Sequence, residues 1–199
     1  MFRTSAAALV LFASTAAFAA DATEPVKEIM AAVTANWQAA GTDTDTPPEY
    51  TDYFNKDLLG RLYSKDFVAK YGEAAKYPAY DDGDSPFGYD VIAMGQDGCP
   101  LKDLAIVAGA AKDGKVPVTA TFDNTHCFEG LPEDMKPARV TFETVEEDGK
   151  AVIDDIVRHY EEGDQSLKEE MAEIVKFGES GPSPGEEAPP EGEGAEPQQ

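Results

Sequence analysis

The sequence predicts an α+β domain, with helices first, then about four antiparallel strands and a closing helix. Apolar residues recur at helical spacing as far as about Lys76. From Leu101 the apolar period changes to two. Two Asp-Gly pairs, Asp113-Gly114 and Asp148-Gly149, each sit between two apolar runs, which is the strongest short-range signal for a hairpin. A block of helices followed by a block of antiparallel strands gives α+β rather than an alternating α/β order.

Residues 1–20 read as an export signal. Arg3 supplies a short positive start, Ala6 to Ala17 an uncharged apolar run, and Ala17-Phe18-Ala19 the small-x-small cleavage pattern. The run is too short for a permanent span, which needs about 20 residues. No Cys stands at the cleavage site to carry a lipid. The expectation is a mature chain beginning near Ala20, periplasmic or secreted and free of the membrane.

Residues 21–178 then form one domain. Thr23 to Ala39 predicts an amphipathic helix: Val26, Ile29, Met30, Val33 and Trp37 make one stripe, Thr23 is the expected N-cap, and Gly41 ends it. A polar loop closes at Pro47-Pro48. Asn55 to Lys76 predicts a second helical region with Leu58, Leu59, Leu62, Phe67, Val68 and Tyr71 on its apolar face, broken by Gly60 and Ser64. Tyr77 to Gly98 is rich in Pro, Gly and Asp and reads as a long loop. Leu101–Ala111 pairs with Val116–Cys127, and Arg139–Glu146 with Ala151–His159. Ser166 to Phe177 closes the fold as a helix. Residues 179–199 hold five Pro, four Gly and six Glu, with no basic or large apolar residue, and are expected to be a disordered acidic tail.

The chain carries 16 Lys plus Arg against 39 Asp plus Glu, a net charge of −23. Such a surface repels nucleic acid and anionic membranes and favours a basic protein or a cationic small ligand. The oligomeric state is not encoded in any pattern here.

Cys99 and Cys127 are the two cysteines. With Asp113-Gly114 as a two-residue turn, Cys99 falls opposite Phe128, one position from Cys127. A bulge or slightly longer loop removes that offset, and directly opposed residues are close enough for a disulfide. The alternative, a metal or redox pair, lacks a C-x-x-C and a clustered third ligand. No metal site is expected.

Around Asp148-Gly149 an unbroken register puts Val140, Phe142, Ile153 and Val157 on one face. Arg139, Thr141, Glu143, Asp154 and Arg158 then face solvent. Asp155 and His159 fall on the apolar side. A carboxylate and an imidazole there point either to an acid/base pair, with its carboxylate pKa raised by burial, or to a carboxylate capping a packed element beside a histidine at the wet end of its strand. A one-residue bulge would move Asp155 outside. His126 falls on the face of Val118, Ala120 and Phe122. Asp43-x-Asp45 and Asp81-Asp82-Gly83-Asp84 look like fragments of calcium loops but lack the regular ligand spacing and closing Glu. There is no P-loop, G-x-G-x-x-G, G-x-S-x-G or H-E-x-x-H, so no cofactor is expected.

Four short motifs occur in one order: Phe54-Asn55-Lys56-Asp57-Leu58-Leu59; Gly88-Tyr89-Asp90 with Gln96-Asp97; Val152-Ile153-Asp154-Asp155-Ile156; and Ser166-Leu167-Lys168. Over residues 24 to 177 the chain resembles a group of exported bacterial proteins of unknown function, placed near the nuclear transport factor 2-like superfamily. It departs from that group after Asp90, where Val-Ile stands in place of Asp-Pro-Phe. The resemblance implies a curved sheet wrapped by N-terminal helices around a cone-shaped pocket. It also implies that Asp90, Gln96 and Asp97 order the loop leading into the first strand, and it marks Tyr89, Asp90, Gln96 and Asp97 as binding-site positions whose role is expected to be structural. The superfamily holds isomerases, dehydratases and inactive members, so fold does not choose a function.

The expected function is therefore a non-catalytic exported binding domain. One alternative is an isomerase-, dehydratase- or hydrolase-like enzyme using Asp155 with His159 or His126. Another is an antagonist of a basic secreted protein.

Overall fold

The computed structural model of the protein describes residues 20–38 and 50–181, apart from Asp82, Asp97, Glu133 and Asp134. The expected export signal but for Ala20, the Asp43-x-Asp45 segment, Gly41, the Pro47-Pro48 loop and the expected tail from residue 182 lie outside the described residues.

Three helices precede the sheet: α1 (Glu24–Asn36), α2 (Lys56–Leu62) and α3 (Lys65–Ala74). Thr23 occupies the N-cap of α1 but does not cap it, because its hydroxyl donates instead to Asp21 Oδ1 at 2.7 Å. α2 is capped by Asn55, whose Oδ1 accepts from the N–H groups of Asp57 and Leu58, each at 3.0 Å. Gly60 lies inside α2. The break falls at Tyr63-Ser64, where Ser64 N donates to Ile153 O at 2.8 Å and Ser64 Oγ caps α3 by accepting from Phe67 N.

The sheet runs β1 (Lys102–Ala108), β2 (Lys115–Asp123), β3 (Ala138–Glu147), β4 (Lys150–Tyr160) and β5 (Gly163–Ser166), in that spatial order with every pair antiparallel. Both predicted Asp-Gly turns form. Their central residues have positive φ, 53° and 79° at Asp113 and Gly114, and 52° and 76° at Asp148 and Gly149, the pattern that matches the twist of paired strands. The fifth strand was not foreseen, because Gly163-Asp164-Gln165-Ser166 has no apolar alternation to announce it. α4 (Leu167–Ser180) follows, capped by Ser166 Oγ, which accepts from Glu169 N at 3.2 Å. Glu179 and Ser180, read as tail, belong to the last turn of this helix.

The core lies between the helices and one face of the sheet. β2 alternates as the period of two requires, with Val116, Val118, Ala120 and Phe122 buried. Val140, Phe142, Ile153 and Ile156 continue that face and meet Val26, Ile29, Met30, Phe67, Leu167 and Met171 from the helices.

Cys99 and Cys127 form a disulfide with Cα atoms 5.7 Å apart. The offset expected from the turn is absorbed on the way. Lys112 still bridges Lys115, but Ala108 pairs with Val118 and Lys102 with Asp123, so the strands slip past one another between turn and open end. Part of the slip lies at Asp103, whose φ of 54° marks the irregularity between Lys102 and Ala105.

A second irregularity decides more. On β3 and β4, Thr144 pairs with Ile153 but Glu143 pairs with Asp155, leaving Asp154 as an extra residue. Asp154 is not solvent-facing as the unbroken register implied; it is 8% exposed. Its Oδ1 accepts from Ser64 Oγ and Lys168 Nζ, and its Oδ2 from Lys115 Nζ, each at 2.8 Å. Lys168 Nζ also reaches Asp66 Oδ2 at 2.5 Å. One carboxylate thus ties the N-terminal ends of α3 and α4 to the start of β2. Burial alone would raise its pKa, but the hydrogen bonds from Lys115, Lys168 and Ser64 outweigh burial and hold it down at about 2.

Two predictions follow from these links. The double change Cys99→Ser, Cys127→Ser lowers unfolding stability by about 3–4 kcal/mol, read from urea midpoints, because it frees a loop spanning 28 positions in the unfolded chain. Asp154 has a folded pKa below its ordinary 3.8, so its contribution is full above pH 3.8 and is lost as pH falls through about 2. Asp154→Asn should therefore cost about 2 kcal/mol at pH 7 and flatten the acid limb of stability between pH 4 and 2, measured by denaturant unfolding across that range.

Candidate functional site

The bulge at Asp154 also reassigns the residues beyond it. Asp155 and His159 leave the apolar face, and Arg158 enters it opposite Val140. Val157 pairs with Thr141 and is half-buried rather than core. Asp155 anchors the start of α4: its Oδ2 accepts from Ser166 Oγ at 2.6 Å and its Oδ1 from Lys168 N at 3.1 Å. His159 is held in a polar row across the sheet. Its Nδ1 lies 2.6 Å from Asp164 Oδ1, its Nε2 lies 2.8 Å from Thr141 Oγ1, and Thr141 Oγ1 is 3.0 Å from Thr119 Oγ1. His126 is exposed, past the end of β2, with Nε2 3.0 Å from Pro100 O. The core-facing position expected for it is not reached, because β2 ends at Asp123 and the buried residue beyond it is Asn124, whose side chain donates to Ala93 O. Asp155, His159 and His126 thus have separate partners and do not converge.

Arg158 is the buried charge that sequence reasoning missed. It is fully buried, with Nη2 2.5 Å from Glu170 Oε2 and its guanidinium carbon 5.9 Å from the centre of the Tyr89 ring. Nη1 donates to the Tyr89 hydroxyl, which itself meets the two Glu170 oxygens at 3.1 and 3.0 Å. The Nη2 contact is an ion pair by distance whose angle lies outside hydrogen-bond geometry, and Nε has no partner among the described residues. The cluster fills the end of the core-facing surface where an acid/base pair was sought.

The open concavity lies beside it, on the loop side of Tyr89. A cleft of about 260 Å³ is walled by Tyr50, Tyr53, Phe87 and Tyr89 and edged by Asp52 and Asp84. Asp90 forms its base. Its Oδ2 accepts from Trp37 Nε1 at 2.7 Å and Tyr53 OH at 2.8 Å, and its Oδ1 from Ile92 N and Ala93 N at 2.9 and 2.8 Å. The loop is drawn tight by a bridge between Asp90 and Gly95 and by Gln96 Nε2, which donates to Gly88 O at 2.7 Å. Asp97 lies outside the described residues. Among the described residues no lysine or arginine pairs with Asp52, Asp84 or Asp90. Their field is felt nearby: burial, with Asp52 and Asp84, pushes the Tyr71 phenol up to about 12. Burial, with Asp90 and Asp52, raises the Tyr50 phenol, so both hydroxyls stay neutral donors at ordinary pH.

A larger depression of about 630 Å³ lies between α1 and the β3–β4 turn. Its charges neutralise one another, Arg61 with Glu28 at 2.7 Å and Lys27 with Glu24 at 2.9 Å, and no aromatic side chain lines it. Among the described residues no group of three or more His, Cys, Asp or Glu side chains is placed to hold a metal ion, and no helix is long and apolar enough to cross a membrane.

Set against protein-family models, curated proteins and solved structures, the chain shows no match.

Removing one partner of a buried ion pair strands the other charge. Glu170→Gln should lower stability by about 3 kcal/mol, because Arg158 is left without its counter-charge. The combined Arg158→Met, Glu170→Leu protein should be the more stable of the two, and urea midpoints of the singles and the double complete the cycle.

Proposed function

We propose that this chain is an exported, non-catalytic binding domain. The cone-shaped architecture of nuclear transport factor 2-like proteins is the reading that its one-sided helix layer and bulged antiparallel sheet favour. The carrying observation is the contrast between two places. The inner face of the sheet is filled by Phe122, Phe142, Ile156, Arg158 and Met171, with no acid/base constellation on it. The neighbouring cleft is open, aromatic and bordered by carboxylates that have no ion pair among the described residues.

Binding rather than turnover suits such a site, because it offers surfaces and charge without a positioned nucleophile or proton-transfer pair. The net charge of −23 adds long-range attraction for basic partners, and it is screened within about 10 Å at 0.1 M salt. An encounter outside the cytoplasm accords with the export signal read in residues 1–20 and with the Cys99–Cys127 disulfide, which persists in an oxidising compartment.

The test is a column of the immobilised mature chain, loaded with periplasmic or secreted extract at low salt and washed with rising salt. Basic proteins are expected to be retained and then released at moderate salt. Retention of partners that is indifferent to salt contradicts charge-driven binding.

A further inference from the structure

We infer that the aromatic cleft is a receptor for a single arginine side chain presented by a partner polypeptide, an inference that rests on the binding-domain reading and names its ligand. Size sets the first limit. A cleft of about 260 Å³ holds one long side chain, not a helix or a folded loop.

Chemistry sets the second. The walls are aromatic. Tyr50 is 65% exposed and offers an open ring, backed by the buried Tyr53, whose ring centre stands 6.1 Å away at an angle of 46°. Asp52 and Asp84 line the same cleft and are exposed. Aromatic walls bordered by exposed carboxylates match guanidinium better than ammonium. Guanidinium is planar, stacks on aromatic rings, is weakly hydrated and presents donors in a fork that fits a carboxylate. An ammonium is a compact and strongly hydrated charge that loses more on entering such walls.

Charge sets the third limit. Asp90 already accepts four hydrogen bonds, so it contributes field but has little acceptor capacity left. Asp52 Oδ1 accepts from Phe54 N, and among the described residues no hydrogen bond reaches the side chain of Asp84. Those two carboxylates are therefore the available acceptors. Arg158, whose guanidinium meets Tyr89, does not cancel this field, because Glu170 neutralises it. Arg158 also shows that a wall of the cleft tolerates the chemistry, since Tyr89 already carries a guanidinium near its ring.

The experiment is an NMR titration of the mature chain with three capped pentapeptides, Gly-Gly-X-Gly-Gly, where X is arginine, lysine or the neutral isostere citrulline. The arginine peptide should shift the signals of Tyr50, Tyr53, Asp84 and Tyr89, with the lysine peptide at least threefold weaker and the citrulline peptide silent. Tyr50→Ala and Asp84→Asn both alter exposed side chains without structural hydrogen bonds, so each should keep the folded spectrum and weaken the arginine peptide about fivefold. Equal binding of citrulline or lysine overturns the assignment, as does unchanged affinity in both variants. The two readings fail separately. A column partner held equally by wild type and by the Tyr50→Ala, Asp84→Asn double variant overturns the cleft assignment and leaves the binding domain standing. A chain that takes the arginine peptide at the cleft but retains no extract protein supports the cleft and overturns the wider reading.

Discussion

One extra residue in β4 governs this molecule. Asp154 has no opposite number on β3, and the strand accommodates it by shifting every later side chain to the other face. The displaced carboxylate is not wasted on solvent. It becomes the joint of α3, α4 and β2, held by one serine and two lysines. A buried carboxylate is costly unless it is well supplied with donors, and three donors at 2.8 Å satisfy that condition. The same shift sends Asp155 to the N-terminus of α4, where a carboxylate meets unpaired backbone N–H groups.

The shift also brings Arg158 inside. A guanidinium on a core-facing strand position needs counter-charge and hydrogen bonds, and Glu170 and Tyr89 supply them from α4 and from the loop before β1. This joins three parts of the chain that are far apart in sequence. It also fills that end of the core-facing surface, and it leaves the accessible concavity on the loop side of Tyr89.

That concavity depends on Asp90 much as the helix joint depends on Asp154. Asp90 gathers the end of α1 through Trp37, the segment before α2 through Tyr53, and its own turn through two backbone N–H groups. Gly98 serves the same packing, since a Cβ there would collide with the Trp37 ring. Behind the cleft Phe54 stacks with Tyr71 at 5.0 Å and tilts against Phe87 at 5.7 Å, so the aromatic wall continues into the core and is rigid where it meets the opening. Saturated Asp90 is structural, whereas Asp52, which accepts from Phe54 N, and Asp84 are exposed and have no ion pair among the described residues.

The sequence alone determined the α+β order, both Asp-Gly corners, the Cys99–Cys127 bridge and most of the apolar faces, because turn chemistry and period-two burial are local properties. It did not determine the face of Asp154, Asp155, Arg158 and His159, because a bulge leaves no local signature and its stabilisation comes from Ser64, Lys115 and Lys168, supplied by other elements. Nor did it disclose β5, whose four residues are ordered by pairing with β4 and by Ser166 capping α4, or the cleft, whose walls come from residues 50–54 and 84–91 and meet only once α1, α2 and the loop pack together. Tertiary structure decided these features because each depends on which distant donor or ring arrives at a given position.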